Sequence, residues 1–247
     1  MDTLNPGPTD GNAMFATTHW SVVLTAAETE SPETATALEK LCRTYWYPLY
    51  VYVRRKGYDA QDAQDLTQEF FARLLARNYL SVADRNKGKF RSFLLGSLEH
   101  FLAREWTKAH AQKRGGGQTL FSLDEMDAEN RYLLEPATDL TAAKIFDRRW
   151  ATTVLDQAMA RLREEHQAGD KAKLFEQVEC LLAGNRAEAS YEQIASLLNM
   201  TEGALKVAVH RLRQRYGECV RAEIAHTVAS AEEVDDELRH LFAVLRE

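Results

Sequence analysis

The sequence predicts an all-α protein of two helical domains joined by a flexible linker. Two observations carry this. Among 247 residues only 12 are Gly and 5 are Pro, and Ala, Leu, Glu and Arg, which lose least on entering a helix, are abundant. Apolar residues also recur at three- and four-residue spacing over long stretches, with no strong run of alternating β-branched residues. A hydrophobic share of 45% supplies packed cores, and the length suits one large domain or two small ones. The chain reads as a leader over 1–16, a helical domain over 17–114, a linker over 115–139, a second helical domain over 140–221 and an acidic helical extension over 222–247.

The leader holds Pro6, Gly7, Pro8 and Gly11 and has no helical pattern. Thr18 caps a short apolar helix over 19–27. Residues 33–55 follow as a helix rich in Tyr45, Trp46, Tyr47, Tyr50 and Tyr52, an aromatic stripe that reads as core. Pro48 is expected to kink or break it, and Lys56-Gly57 closes it. Over 59–77, Ala63, Leu66, Phe70 and Leu74 make one apolar face, widened by Phe71 and Leu75. Asp59 is its candidate N-cap. Asp62, Asp65 and Glu69 fall at i, i+3 and i+7 beside Gln68, forming an acidic stripe on another side of the same helix. Such a stripe describes either a plain solvated face or a docking face for a basic partner.

After a polar loop over 81–88, the stretch from Phe90 buries Phe90, Phe93, Leu94, Leu98, Phe101 and Leu102. Cations interleave with Trp106 on its exposed side, which is the chemistry of single-strand binding: positive charge for phosphates and rings on which bases stack. An ordinary basic amphipathic helix reads the same way. Gly115–Gly117 form a hinge, and 119–139 is acidic linker with Pro136. A long helix runs from Thr141 to about Gln167, and another from Asp170 to Ala183.

Residues 190–216, SYEQIASLLNMTEGALKVAVHRLRQRY, describe a helix-turn-helix. Ser190 and Gln193 make a capping box. Ile194, Ala195 and Leu198 face inward. Asn199 takes the left-handed turn conformation, and Thr201 caps the second helix. Leu205, Val209, Leu212 and Tyr216 form one core stripe. Opposite lie Gly203, Val207, His210 and Gln214, flanked by Lys206, Arg211 and Arg213. A second helix that is basic on its free face fits the major groove. A helical hairpin of another kind is the alternative. Beyond Arg221, Val234, Leu238, Leu241, Phe242 and Leu245 give an acidic amphipathic helix. It either folds back to compete with DNA for Lys206, Arg211 and Arg213, or completes the core of the helix-turn-helix domain.

The net charge of −6 hides a segregation. Arg85, Lys87, Lys89, Arg91, Arg104, Lys108, Lys113 and Arg114 face only Glu99 and Glu105 in their stretch. Between Gly203 and Arg221 the cations Lys206, Arg211, Arg213, Arg215 and Arg221 stand against Glu218 alone. Two basic patches in an acidic chain imply two contacts with a polyanion. Cys42, Cys180 and Cys219 are odd in number and far apart, as for free thiols in a reducing cytosol. The start, with Asp2 and Asp10 and no basic region before an apolar run, is not expected to act as a signal peptide, and the sequence shows no membrane-spanning apolar run or metal-ligand spacing.

The order of these motifs resembles the sigma-70 family of bacterial RNA polymerase sigma factors, in the small extracytoplasmic-function group. The resemblance covers about 39–114 as region 2 and about 148–221 as region 4. DAQDLTQEFF at 62–71 resembles region 2.2, which implies that Asp62, Asp65, Gln68 and Glu69 hold the clamp helices of the largest polymerase subunit. FRSFLLGSLEHFL at 90–102 resembles regions 2.3 and 2.4. That implies promoter −10 melting by Arg85, Lys87, Lys89, Arg91, His100, Arg104, Trp106 and Lys108. The helix-turn-helix resembles region 4.2, which implies −35 reading by Thr201, Gly203, Lys206, Val207, His210, Arg211, Arg213 and Gln214, with a further contact to the polymerase flap. Val207, Ala208 and His100 depart from residues common in that group, which bears on promoter sequence. The implied protein is cytoplasmic, monomeric when free, without cofactor or catalysis, and open to an anti-sigma factor or other regulator. Three rival readings are a stand-alone helix-turn-helix regulator, a helical enzyme and an anti-sigma or scaffold protein. The enzyme lacks any HExxH, phosphate loop or nucleophile spacing to support it.

Overall fold

The computed structural model describes residues 32–75, 89–111, 125–134, 139–167, 170–182, 190–228 and 230–246. These are all-helical: α1 (Pro32–Arg55), α2 (Ala60–Leu75), α3 (Phe90–Ala111), α4 (Glu125–Leu133), α5 (Ala142–Glu165), α6 (Asp170–Leu182), α7 (Tyr191–Leu197), α8 (Glu202–Ala225) and α9 (Ala231–Arg246). They group into two units. One takes the described residues up to Ala151 together with those from Ile224 onward, and the other is Thr152–Glu223. The leader, the helix expected over 19–27, the loop over 81–88 and the glycine hinge lie outside the described residues.

In the first unit α1 packs on α2 and on α4, and α2 packs on α3. The aromatic stripe of α1 is core, as its spacing predicts: Tyr45, Tyr47, Tyr50 and Tyr52 are buried. Tyr45 meets Phe90 edge-on at 5.1 Å, and Tyr52 meets Phe146 at 6.5 Å. Phe70 of α2 meets Phe101 of α3 at 5.8 Å. Each fully buried large side chain contributes about 1.5–3 kcal/mol by leaving water. That packing outweighs the backbone bond lost at Pro48, which stands inside α1 without ending it. The helix closes at Lys56 and at Gly57, whose φ of 98° favours a residue without Cβ. Asp59 then caps α2, its Oδ1 accepting from the Asp62 N–H at 2.8 Å.

Two parts of this unit depart from the sequence reading. Part of the stretch expected to be linker is the helix α4, and it is docked. Arg54 of α1 donates to both oxygens of Glu129, at 3.1 and 2.8 Å, Tyr50 donates to the same carboxylate, and Arg131 lies 3.9 Å over the Tyr47 ring. A composition that is acidic and mixed looks like linker, yet one bidentate ion pair and two rings suffice to hold a short helix. The C-terminal helix α9 groups with this unit and not with the helix-turn-helix. Neither alternative read from the sequence, fold-back onto Lys206, Arg211 and Arg213 or completion of the helix-turn-helix core, matches this grouping. Val234 and Leu241 of α9 are buried, the Phe90 N–H at the start of α3 donates to the Thr227 carbonyl at 3.3 Å, and His240 lies 5.9 Å from Trp150 of α5.

In the second unit the local signals hold closely. The capping box at Ser190 and Gln193 is formed in both directions. Asn199 has φ 52°, and the Thr201 hydroxyl accepts from the Ala204 N–H at 3.2 Å. Ile194, Ala195, Leu205, Val209 and Leu212 are buried together with Phe175, Val178 and Leu162. Tyr216 is half-buried and donates to the Leu155 carbonyl at 3.2 Å, its hydroxyl pushed up to about 12 by burial.

Candidate nucleic-acid and partner interface

The acidic stripe stands on α2 because Ala63, Phe70, Phe71 and Leu74 turn inward against α1 and α3. Asp59, Asp62, Asp65 and Glu69 are exposed and Gln68 is half-buried. Asp62 lies in the first turn of α2, where the helix dipole favours an acid. Gln61 donates to Asp65 at 3.2 Å. Arg73 tempers the C-terminal end of the stripe by pairing with Glu69 and, at 2.8 Å, with Glu105. The upstream carboxylates therefore project the stronger negative field.

The basic patch on α3 splits in two. At its C-terminal half His100, Arg104 and Trp106 are exposed, Trp106 by 59%. The His100 ring Nδ1 lies 2.8 Å from the Gly96 carbonyl. Trp106 joins Tyr52, Lys56, Tyr58, Glu99, Leu102 and Ala103 around a cleft of about 310 Å³. In that cleft Tyr52 donates to Glu99 at 2.6 Å, and the Lys56 Nζ lies 5.1 Å from the Tyr52 ring centre. Desolvation, reinforced by Glu99, raises the Tyr52 hydroxyl well above its ordinary pKa. Tyr52 comes from the aromatic stripe of α1 that reads as core in the sequence, and Lys56 and Tyr58 from the turn after it. No local signal relates them to α3.

The N-terminal half of α3 is different. Arg91 is only 11% exposed and Lys89 25%, so both are half-buried where the sequence pattern predicts exposed cations. Arg91 pairs with Asp147 of α5 and with Glu237 of α9, and Lys89 pairs with Glu237 at 3.2 Å. Burial works against the charge of Arg91, but Glu237 and Asp147 more than offset it, so its pKa is raised. The Arg91 guanidinium also stacks 5.1 Å over Trp150. Arg85 and Lys87 lie outside the described residues, as does the side chain of Lys108.

On the helix-turn-helix, Thr201, Gly203, Lys206, Val207, His210, Arg211, Arg213 and Gln214 are all exposed. Their common face follows from the opposite stripe Leu205–Val209–Leu212 being buried. Val207, 51% exposed, puts an apolar branched side chain in the middle of this polar face. Gly203 meets nothing within 4 Å where a Cβ would stand, so that position is open to close approach. Lys206 pairs with Glu202 one turn earlier at 2.6 Å. Arg213 donates to the Leu181 carbonyl at 3.0 Å, so part of its fork is spent on the end of α6. At the far end Arg215 holds Glu165 in a fork at 2.7 and 2.8 Å and keeps that carboxyl below its ordinary pKa.

Among the described residues no three His, Cys, Asp or Glu side chains gather as metal ligands, and no helix is long and apolar enough to cross a membrane. Comparison with family models, curated proteins and solved structures finds no match to this chain.

Proposed function

We propose that this chain is a sigma factor of the sigma-70 type, in the extracytoplasmic-function group. It binds core RNA polymerase and directs it to a promoter, acting without catalysis of its own in the cytoplasm. The observation that supports this most is the module Ser190–Tyr216. It is capped at both helices, turned at Asn199, and carries Gly203, Val207, His210, Arg211 and Gln214 on one exposed face. The second helix of this module reads the upstream element in the major groove. Its cations hold phosphates and its central side chains meet base edges. The acidic face of α2 docks the basic clamp helices of polymerase. Arg104, Trp106 and the cleft beside them serve the opened strand, through phosphate neutralisation and stacking. Transcription in vitro with core polymerase and this chain, followed by sequencing of run-off products, tests the reading. Products starting at one class of promoter support it, and products no different from core polymerase alone reject it.

A stand-alone helix-turn-helix regulator is a second reading. It is favoured by one observation, the engagement of Lys89 and Arg91 by carboxylates of their own chain. Such a protein binds a duplex promoter fragment tightly without polymerase, whereas a sigma factor gains its promoter affinity on joining the core enzyme.

A further inference from the structure

Glu237 is charged and 1% exposed, an unfavourable place for a carboxylate unless something holds it. What holds it has a recognisable geometry. Its Oε1 accepts from the Arg91 Nε at 3.2 Å and its Oε2 from an Arg91 terminal nitrogen at 3.4 Å, while Oε2 also lies 3.2 Å from the Lys89 Nζ. Two oxygens on one guanidinium fork, with a lysine on one of them, is equally the way a phosphodiester is held. The cations belong to a run at every second position, Arg85, Lys87, Lys89 and Arg91. The occupant belongs to an acidic run, Glu232, Glu233, Asp235, Asp236 and Glu237. The two described cations face two carboxylates, Glu237 and Asp147, so the seat is charge-balanced only while α9 is docked.

We propose that Lys89 and Arg91 form a phosphate seat which Glu237 fills in the free protein, and from which a nucleic-acid backbone displaces α9. This rests on reading α3 as a nucleic-acid face. It makes α9 an intramolecular competitor of that face, not of the helix-turn-helix. Val234 and Leu241 of the helix are buried, and the chain leading into it is tied to the start of α3 by the bond from the Phe90 N–H to the Thr227 carbonyl. The competitor therefore acts at high effective concentration.

The test uses the full chain and a labelled single-stranded oligonucleotide, followed by fluorescence anisotropy at several salt concentrations, with melting measured in parallel. Glu237→Gln keeps the shape and removes the charge. Glu232→Gln makes the same change of net charge from an exposed position. The seat predicts affinity about tenfold tighter for Glu237→Gln than for wild type or Glu232→Gln, and a log–log salt slope steeper by about 0.7 per phosphate gained. Lys89→Gln added to Glu237→Gln reverses most of the gain. Equal affinity of Glu237→Gln and Glu232→Gln, or no binding by any variant, overturns the proposal. Should Glu237→Gln not fold, hydrogen exchange on the wild-type chain decides. Amides of α9 lose protection when oligonucleotide binds if the seat changes occupant, and keep it if α9 is only structural. Co-purification with core polymerase judges the sigma reading separately, because it tests α2 and not the seat.

Discussion

Glu237 and Arg91 stand 146 positions apart in the chain, yet the carboxylate lies 3.2 Å from the guanidinium Nε with almost no exposure to water. A carboxylate so buried persists only with its partners in place. In water it would be solvated on every side, and here Arg91 and Lys89 stand in for that solvent. The pair therefore ties the C-terminal helix to α3 through electrostatics and not through apolar area alone.

Arg91→Ala leaves that carboxylate without its fork. The expected loss is about 3–5 kcal/mol of unfolding free energy, the usual result of breaking a buried pair from one side. Replacing both partners, Arg91→Met with Glu237→Leu, recovers part of it, because the two most buried charges leave together while Lys89 and Asp147, 25% and 21% exposed, keep access to water. Urea titration followed by tryptophan emission measures both, Trp150 lying beside the pair. An unaltered midpoint for Arg91→Ala would mean that the carboxylate is solvated by another route.

On α2, Asp65→Lys with Glu69→Lys reverses the exposed acidic stripe. Both positions face solvent, and the surface pair of Glu69 with Arg73 is worth no more than about 1 kcal/mol. Helicity by circular dichroism is expected to stay as it is while co-purification with core polymerase is lost. Undiminished capture of the folded double variant would remove the docking role from this face.

Lys206→Ala and Arg211→Ala are each expected to weaken binding to duplex promoter DNA. A base-edge contact costs about 1–3 kcal/mol and relaxes sequence preference, whereas a phosphate contact lowers affinity evenly and flattens the salt dependence. Val207 is expected to read a methyl group, since thymine offers the apolar contact in the major groove. Replacing thymine by uracil at the facing base pair then weakens wild type and leaves Val207→Ala unchanged. A gel-shift series across the site with each base replaced in turn checks this. Equal effects in both proteins would rule the contact out.

Arg215 and Glu165 set a pH dependence in the second unit. The Glu165 carboxyl is held below its ordinary 4.5, chiefly by the hydrogen bond from Arg215. A group whose pKa falls on folding adds stability above its unfolded value and loses it as pH drops through the folded one. Arg215→Ala should therefore melt below wild type near neutrality. The gap closes as the pH is taken below 4.5 and Glu165 is protonated. A melting series from pH 7 to pH 3 shows it, and a gap independent of pH would assign the effect to packing. The pair is largely exposed, so the gap is small.

What the sequence determined alone is what neighbours along the chain decide. The all-α class, the Ser190 box, the Asn199 turn, the Thr201 and Asp59 caps and the buried stripe Leu205–Val209–Leu212 all depend on residues within a turn or two of one another. Helical period and capping chemistry act at that range. The exposed face of α8 follows directly from its buried stripe. Tertiary structure decided which charges are spent and on whom. Lys89 and Arg91 belong to a basic run that looks solvent-facing, and Glu237 to an acidic run that looks the same. Their meeting accompanies the packing of α9, with Val234 and Leu241 buried, and leaves Glu237 1% exposed. Likewise Glu129 reads as linker until Arg54 and Tyr50 meet it, and Arg213 reads as a free cation until the end of α6 offers its carbonyl. Charge carries no periodicity that names its partner. The pairing is set by long-range packing, and it is there that the candidate interface was divided into an open half and an occupied one.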